Sequence, residues 1–177
     1  LRNIIVKELE AVIKKYPAPR HSEIIYAEEV KSFDEDDHIE DYPVLVFLTR
    51  EGYFKKITPA SWRMSSEHKL KDGDIMDASF EATNRTELLF FTDKCQVYKS
   101  RASDFSETKA SAMGEYIPVK LGFDPDENVI SMIPTTDYSG FMFLVFENGK
   151  AAKVPLTVFQ TKTNRKKLTK AFSDKSR

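Results

Sequence analysis

Three cations surround one predicted β-hairpin, and they are the residues of this sequence best suited to chemistry. In the stretch VFLTREGYFKKITPASW, residues 46–62, Arg50 lies at the turn and Lys55 and Lys56 lie in the strand that follows. Clustered lysine and arginine side chains bind phosphate oxygens and other anions. These cations are either a feature of this single turn or part of a pattern that repeats along the chain.

The hairpin pattern recurs. Three stretches align: VFLTREGYFKKI (46–57), LFFTDKCQVYKS (89–100) and LVFENGKAAKV (144–154). The alignment places a lysine at the same point of each second strand: Lys56, Lys99 and Lys153. Repeats of about 40–50 residues with several strands each are typical of propeller blades. We therefore predict that the three lysines occupy equivalent positions on a curved basic rim, flanked by Arg50 and Arg101.

Charge is unevenly distributed along the chain, although the formal net charge is only −1. Residues 28–41 hold eight acidic residues and one lysine, whereas residues 150–177 hold nine lysines and arginines and one aspartate. This asymmetry is typical of proteins that bind polyanions. Solvated loops and tails produce the same pattern, and each repeated lysine can simply be a solvent-facing strand residue. Both interpretations stay open on charge alone.

The sequence contains no constellation typical of catalysis or metal binding. Its three histidines have no metal-ligand spacing with one another or with the single cysteine, Cys95. The acidic run at residues 34–37 lacks the glycine and the spaced ligands of a calcium loop. No glycine-rich nucleotide-binding loop is present. We therefore predict no catalytic residue and no metal site in this chain.

The apolar pattern predicts one helix followed by many short strands. Residues 1–16 carry apolar side chains at three- and four-residue steps, which predicts an amphipathic helix over about 3–16 that ends before Pro17. Eight later stretches are rich in β-branched and aromatic residues and predict strands: 22–29, 42–49, 52–58, 87–93, 95–100, 128–134, 140–147 and 151–159. We expect only short helical turns elsewhere, and we expect Phe47 and Phe90 to be buried.

Length and composition limit the class of protein. The chain has 177 residues, of which 41% are hydrophobic, which suits one domain or two small ones. A lone cysteine favours a reducing compartment, so we predict a cytoplasmic location. No apolar run is long enough to span a membrane, and the start resembles no signal peptide. The first residue is Leu1 and not methionine, so we expect a piece of a longer protein.

The repeated motifs resemble those of type IIA topoisomerase A subunits, the A subunits of DNA gyrase and topoisomerase IV. LTREGYFKK (48–56), followed by ELLFFTDKCQVYKSRASDF (87–105), is similar to the first two blades of the C-terminal domain in that family. IIVKELEAVIKKYPAPRHSEI (4–24) resembles the last helix of the breakage–reunion core and its junction. GFDPDENVISMIP (122–134) resembles the segment that joins the second blade to the third. The resemblance covers essentially the whole chain.

The resemblance implies a mainly β fold. The fold would be a β-pinwheel, a propeller relative that exchanges a strand between neighbouring blades, preceded by one N-terminal α-helix. The implied domains are a linking helix at residues 1–22 and a partial β-pinwheel DNA-binding domain of about three blades at residues 23–177. The implied blades lie near residues 40–80, 81–130 and 131–177.

The resemblance also implies a function, that of a DNA-binding and DNA-bending accessory domain. Its partners would be double-stranded DNA, a second A subunit bound through the breakage–reunion core, and the B-type ATPase subunit. ATP and magnesium would belong to the B-type partner, and the fragment alone would not be catalytic because the DNA-cleaving tyrosine lies in the core. The candidate DNA-binding residues are Arg50, Lys55, Lys56, Arg63, Lys99, Arg101, Lys153, Lys162, Arg165, Lys166 and Lys167.

The sequence departs from the family pattern at two places. Gyrase A subunits carry a basic glycine-rich heptapeptide after the first blade, but RMSSEHKLKDGDIM (63–76) holds only Arg63, Lys69 and Lys71 as basic residues. This difference favours a topoisomerase IV-like role over supercoiling. Cys95 stands where the turn glycine is usual, which predicts a strained or reshaped turn. The alternative from another class is a propeller-type module whose basic rim binds an acidic protein.

Overall fold

The computed structural model describes residues 1–17, 39–64, 67–161 and 166–172. The chain divides into two units, Leu1–Glu35 and Asp36–Arg177. The described part of the first unit is helix α1, Arg2–Lys15, which confirms the predicted helix. Lys14 and Lys15 lie in its last turn, where positive charge is favourable, and its apolar stripe is exposed to solvent.

The described part of the second unit is mainly β, as predicted. Its strands are β1 (Pro43–Thr49), β2 (Tyr53–Ile57), β3 (Met76–Thr83), β4 (Glu87–Thr92), β5 (Val97–Arg101), β6 (Glu115–Tyr116), β7 (Val129–Thr135), β8 (Phe141–Val145), β9 (Ala151–Pro155) and β10 (Lys167–Leu168). Its helical turns are α2 (Pro59–Arg63), α3 (Ile117–Lys120) and the 3-10 turns Ala102–Asp104 and Leu156–Phe159. The predicted strand at residues 22–29 lies outside the described residues.

The strands form three antiparallel sheets, each built around one of the predicted hairpins. The first sheet has the order β3-β1-β2-β6, the second has the order β7-β4-β5-β10, and the third contains β8 and β9. In the first two sheets the hairpin is central. One flanking strand comes from the same repeat and the other comes from the repeat that follows.

In each four-stranded sheet, the outer strand beside the second strand of the hairpin is therefore supplied by the following repeat. Strand β6 follows β5 in the chain but pairs with β2 of the first sheet, where Tyr116 faces Tyr53 and Glu115 faces Phe54. Strand β10 follows β9 but pairs with β5 of the second sheet. This exchange is the feature that distinguishes a β-pinwheel from a simple propeller in the resemblance drawn above.

Apolar side chains are buried between consecutive sheets. The largest core cluster contains residues of the first and second hairpins together with Phe105, whose ring centroid lies 4.4 Å from that of Phe54. A second cluster joins the second and third repeats around Phe91 and Phe159. Phe47 and Phe90 are buried, as predicted.

Strand β3 was not predicted, and its environment explains why. It pairs with β1 along its whole length but forms the edge of the sheet, so four of its eight residues are exposed and none is fully buried. Its sequence, MDASFEAT, consequently mixes charged and small residues and lacks an apolar run. Strands β6 and β10, of two residues each, are too short to be found by periodicity. No helix in the described part of the chain is long and apolar enough to cross a membrane.

Candidate nucleic-acid interface

The three repeated lysines occupy the same register position in their hairpins. Each lies directly opposite a residue of the preceding strand, in the pairs Lys56 with Val46, Lys99 with Leu89, and Lys153 with Phe143. These pairs differ by the offsets of the sequence alignment, so the alignment describes true structural equivalence. The environments of the three ammonium groups nevertheless differ.

Lys56 and its neighbour Lys55 are buried, so the expectation that they lie on an exposed rim is wrong. Lys56 Nζ donates to Asn84 Oδ1 at 3.1 Å. Lys55 Nζ donates to the carbonyl oxygens of Lys69 at 2.6 Å and Ala110 at 3.1 Å. Burial lowers the pKa of both lysines, and for Lys56 nearby carboxylates, Glu107 first, partly oppose this effect. Neither ammonium group is accessible to a phosphate in this structure.

The following repeat causes this burial. The backbone of Lys56 forms a bridge with Glu107, and its carbonyl accepts a hydrogen bond from Thr108 N at 2.8 Å. The segment then continues past Ala110 to strand β6, which pairs with β2. A hairpin considered alone predicts exposed lysines, but a long-range segment covers them.

Lys99 has an intermediate environment. Its Nζ lies 3.3 Å from Thr161 Oγ1, 4.0 Å from Glu87 Oε2 and 5.1 Å from the centroid of the Tyr138 ring. Thr161 and Tyr138 belong to the chain that leads into and through the third repeat. Lys56 and Lys99 thus both reach towards groups supplied at the junction with the next repeat.

Lys153 is exposed. Its Nζ lies over the rings of Phe141 and Phe143, 4.2 Å and 5.6 Å from their centroids. Among the described residues, no segment covers this face of the third hairpin as residues 105–110 cover the first. Lys153 is therefore the one of the three repeated lysines whose charge is open to solvent.

The remaining predicted cations are distributed over the surface. Arg50 at the first turn and Arg63 at the end of α2 are exposed, Arg101 is half-buried, and Lys166 is exposed. Lys167 is half-buried and donates to Asp124 Oδ2 at 2.8 Å, an interaction that raises the pKa of the lysine. Lys162 and Arg165 lie outside the described residues.

Sequence reasoning missed one basic cavity. A pocket of about 290 Å³ is lined by Tyr98, Lys99, Ser100, Asp104, Lys120, Leu121 and Lys166. Lys120 comes from α3 and forms an ion pair with Glu115 at 2.6 Å. It has no counterpart in the hairpin alignment, and only the exchange of strands brings its element beside Lys166. No signal in the sequence pattern could have indicated this pairing.

The turn residue Cys95 keeps the backbone conformation of a glycine. Its φ is 57°, and the equivalent residues Gly52 and Gly149 have φ values of 87° and 78°. A non-glycine residue in this left-handed region is strained, as predicted for this turn. The unusual residue therefore changes the energy of the turn and leaves its form unchanged.

The described residues contain no cluster of three or more metal-ligating side chains. His68 packs against Phe47 and Trp62, with ring-centroid distances of 4.5 Å and 4.6 Å. Its ring nitrogens are buried and have no hydrogen-bond partner among the described residues. The acidic run at residues 34–37 lies outside the described residues. His68 is thus part of an aromatic cluster.

Comparisons with known proteins agree with this architecture. The chain is 31% identical over 164 residues to the DNA gyrase A protein of Streptomyces coelicolor, a match that covers 88% of this chain. It is 28% identical over 169 residues to the gyrase A protein of Mycobacterium tuberculosis and 26% identical to that of Campylobacter jejuni. The chain spans only about a fifth of the length of these relatives. No family model matches it.

A solved structure shows the same fold. The crystal structure of the C-terminal domain of DNA topoisomerase IV superposes with a TM-score of 0.66 and 27% sequence identity. The match covers 74% of this chain and 42% of that domain. The sequence relatives and this structure confirm the resemblance found in the motifs. The chain is a homologue of the C-terminal β-pinwheel domain of type IIA DNA topoisomerase A subunits.

Proposed function

We propose that this chain is a DNA-binding and DNA-bending accessory domain. The observation that carries the proposal is its similarity to DNA gyrase A proteins over about 90% of its length. Duplex DNA is a polyanion, and a curved array of lysine and arginine side chains binds its backbone irrespective of sequence. Exposed cations from several parts of the β unit would supply such an array.

The structure changes which residues we assign to this contact. The exposed cations Arg50, Arg63, Lys153 and Lys166 are the primary candidates. Lys99, Arg101 and Lys167 are partly buried and contribute mainly through their electrostatic field, while Lys162 and Arg165 stay predictions from sequence. We assign Lys55 and Lys56 a structural role because their ammonium groups are engaged inside the protein.

The domain would act within a larger enzyme. We propose that it belongs to the A-type polypeptide of a cytoplasmic type IIA topoisomerase, which changes DNA topology together with a second A-type polypeptide and a B-type ATPase partner. ATP and magnesium would be bound by that partner. A topoisomerase IV-like role is favoured over supercoiling because residues 63–76 lack the basic glycine-rich heptapeptide.

Salt dependence of DNA binding tests the proposal. Binding to duplexes of unrelated sequence should be similar in strength, and log K should fall with log salt by roughly 0.9 per phosphate neutralised. Lys153→Ala should weaken binding to every duplex alike and reduce the slope by about one unit. Lys7→Ala is the matched control, because Lys7 is an exposed lysine of α1 outside the β unit, and it should leave both quantities unchanged.

Bending needs a separate measurement. Fluorescence energy transfer between the ends of a short duplex should increase when the protein binds. A salt-independent interaction, or one unaffected by Lys153→Ala and Lys166→Ala together, would overturn the electrostatic account. Stronger binding to an acidic protein than to duplex DNA would instead support a protein-interaction module, the second candidate suggested by the basic surface.

A further inference from the structure

The second and third repeats correspond to each other outside their hairpins as well as within them. Their hairpin registers differ by 54 residues. The amide of Ala102 donates to the carbonyl oxygen of Thr86 at 2.9 Å in the second repeat. In the third repeat the amide of Leu156 donates to that of Gly140 at 3.1 Å, and both residues lie 54 positions further along the chain. The same offset therefore identifies corresponding residues on both sides of the two hairpins.

The lysine of one hairpin lies beside a residue that precedes the next hairpin. Lys56 Nζ donates to Asn84 Oδ1 at 3.1 Å, and Asn84 stands three places before β4. Lys99 Nζ lies 5.1 Å from the ring centroid of Tyr138, which stands three places before β8. Asn84 and Tyr138 are 54 residues apart. An amide oxygen and an aromatic face both attract an ammonium group, so the two residues serve the same lysine position with different chemistry.

A residue that follows the next hairpin lies beside the same lysine. Glu107 forms a backbone bridge with Lys56. Burial lowers the pKa of Lys56, and the charge of Glu107 is the largest of the effects that oppose this shift. Lys99 Nζ donates to Thr161 Oγ1 at 3.3 Å, and Thr161 lies 54 residues after Glu107. Each lysine is thus held by one residue before and one residue after the hairpin of the following repeat.

We call these two sets of residues joints. The first joint contains Lys56, Asn84 and Glu107, and the second contains Lys99, Tyr138 and Thr161. Attachment at two points on either side of a hairpin restricts the rotation of one sheet against the next. The lysines are also largely enclosed, because Lys56 is 3% exposed and the side chain of Lys99 is 11% exposed. The recurrence of lysine therefore needs an explanation other than direct contact with DNA.

We infer that the repeated lysine is a positioning residue for DNA bending: it fixes the angle between consecutive sheets and does not itself bind the duplex. The inference rests on the proposed function, because this angle affects DNA only if one duplex crosses both sheets. A duplex bound to two sheets must follow the angle between them, and DNA resists bending. A joint without its ammonium group would yield to that resistance, and the bound duplex would straighten.

Two duplexes separate bending from contact. One is long enough to cross several sheets and carries a fluorophore at each end. The other spans one helical turn, about 10 base pairs, and is too short to bend. Lys56→Met removes the ammonium group but keeps most of the apolar stem. It should lower the energy transfer in the long duplex at saturating protein and leave the affinity for the short duplex unchanged.

Arg50→Met is the matched control, because Arg50 is an exposed cation of the same hairpin. It should weaken binding to both duplexes and reduce the salt slope by about one unit, with unchanged energy transfer at saturation. Thr161→Val removes the hydroxyl that holds Lys99 with little change in shape, and it tests the second joint if Lys56→Met does not fold. It should lower the energy transfer by a smaller amount, since it leaves Tyr138 in place.

Spin-label distances test the first joint without DNA. The labels are attached to Ser79→Cys on β3 and Ile130→Cys on β7, in a Cys95→Gly background. Both labelled positions are exposed, and they lie in consecutive sheets. The distribution of distances between the labels should broaden in Lys56→Met and stay narrow in Arg50→Met.

The outcomes distinguish failure of the inference from failure of the proposed function. Unchanged energy transfer in folded Lys56→Met, or an unchanged distribution of label distances, would overturn the inference. A loss of short-duplex affinity and salt slope equal to that of Arg50→Met would also overturn it, since Lys56 would then contact DNA. Failure of the unsubstituted chain to bind either duplex would instead overturn the proposed function, and the label distances would still show whether Lys56 fixes the first joint.

Discussion

The first and third hairpins share one register and have opposite environments. In the first, Lys56 pairs with Val46, which is fully buried, whereas in the third Lys153 pairs with Phe143, which is 69% exposed. The local sequences are similar, and the difference comes from the chain that follows. Residues 105–116 cover the first hairpin, and no described segment covers the third. The role of a residue in this repeat therefore depends on its neighbour along the fold.

The largest expected effect compares two phenylalanines on corresponding faces. Phe91 is buried against Phe159, so Phe91→Ala should reduce the free energy of unfolding by about 3–5 kcal/mol. Phe143→Ala should change it by no more than about 0.5 kcal/mol, because the ring is already largely in solvent. Urea denaturation at low protein concentration measures both. Equal losses would show that the third hairpin is as enclosed as the second.

Two glycines with positive φ provide the next comparison. A Cβ on Gly114 would lie 2.3 Å from the carbonyl oxygen of Phe54, whereas a Cβ on Gly149 would have no atom within 4 Å. Gly114→Ala should therefore cost about 3 kcal/mol or more, and Gly149→Ala about 1 kcal/mol from backbone strain alone. The first variant should also expose the β2 amides to hydrogen exchange, because it displaces the segment leading to β6. Unchanged protection there would contradict the close packing.

Replacing the equivalent lysines separates their roles. Lys56→Ala removes a buried side chain and leaves Asn84 Oδ1 without its donor, which should cost about 1–3 kcal/mol. Lys153→Ala should stay within about 0.5 kcal/mol. DNA affinity should respond in the opposite order at a temperature where both variants are folded. A loss of DNA binding from Lys56→Ala with unchanged stability would restore the lysine to the binding surface.

The free energy of unfolding should depend on pH through His68, which packs against Phe47 of the first hairpin and against Trp62. Burial, and secondarily the charge of Lys55, lower the pKa of this histidine below its usual value of 6.5. The unfolded chain therefore binds the proton more readily, and stability should fall as pH decreases below about 6.5. The loss should be smaller than the limit of about 1.4 kcal/mol per pH unit, because part of the side chain is solvated. His68→Leu should remove this part of the pH dependence in denaturation measured at about pH 7.5 and 5.5, and an unchanged difference would refute it.

The smallest effect should come from the turn of the second hairpin. Cys95→Gly removes the strain of a left-handed residue, which is about 1–2 kcal/mol. The greater conformational entropy of glycine also stabilises the unfolded chain by up to about 1 kcal/mol, which opposes this gain. A net stabilisation of up to about 1 kcal/mol should appear as a higher melting temperature. Cys95→Val should lower the melting temperature, since β-branched residues tolerate positive φ poorly. The reverse order would mean that contacts of the cysteine outweigh the backbone strain.

Local patterns predicted much of this molecule. The spacing of apolar residues predicted α1, and the short apolar runs of β1 and β4, whose side chains are mostly buried, predicted those two strands. The alignment of Lys56 with Lys99 also held, because a shared turn fixes hairpin register. Burial of Lys55 and Lys56 could not be predicted in this way, since it depends on residues far along the chain. The same reason explains why β6, β10 and the Lys120–Lys166 cavity were missed.

The exchanged strands fix the order in which the protein can be completed during synthesis. The first sheet lacks its outer strand until Glu115 and Tyr116 leave the ribosome, by which time β4 and β5 of the second sheet have already emerged. The second sheet likewise lacks its outer strand β10 until Lys167 and Leu168 have been synthesised. Each sheet therefore closes only after the next hairpin is available, and nascent chains should carry one open edge that moves towards the C-terminus as translation proceeds. A translational pause between β5 and β6 would prolong exposure of the β2 edge, and nascent chains stalled there should be the most prone to aggregation.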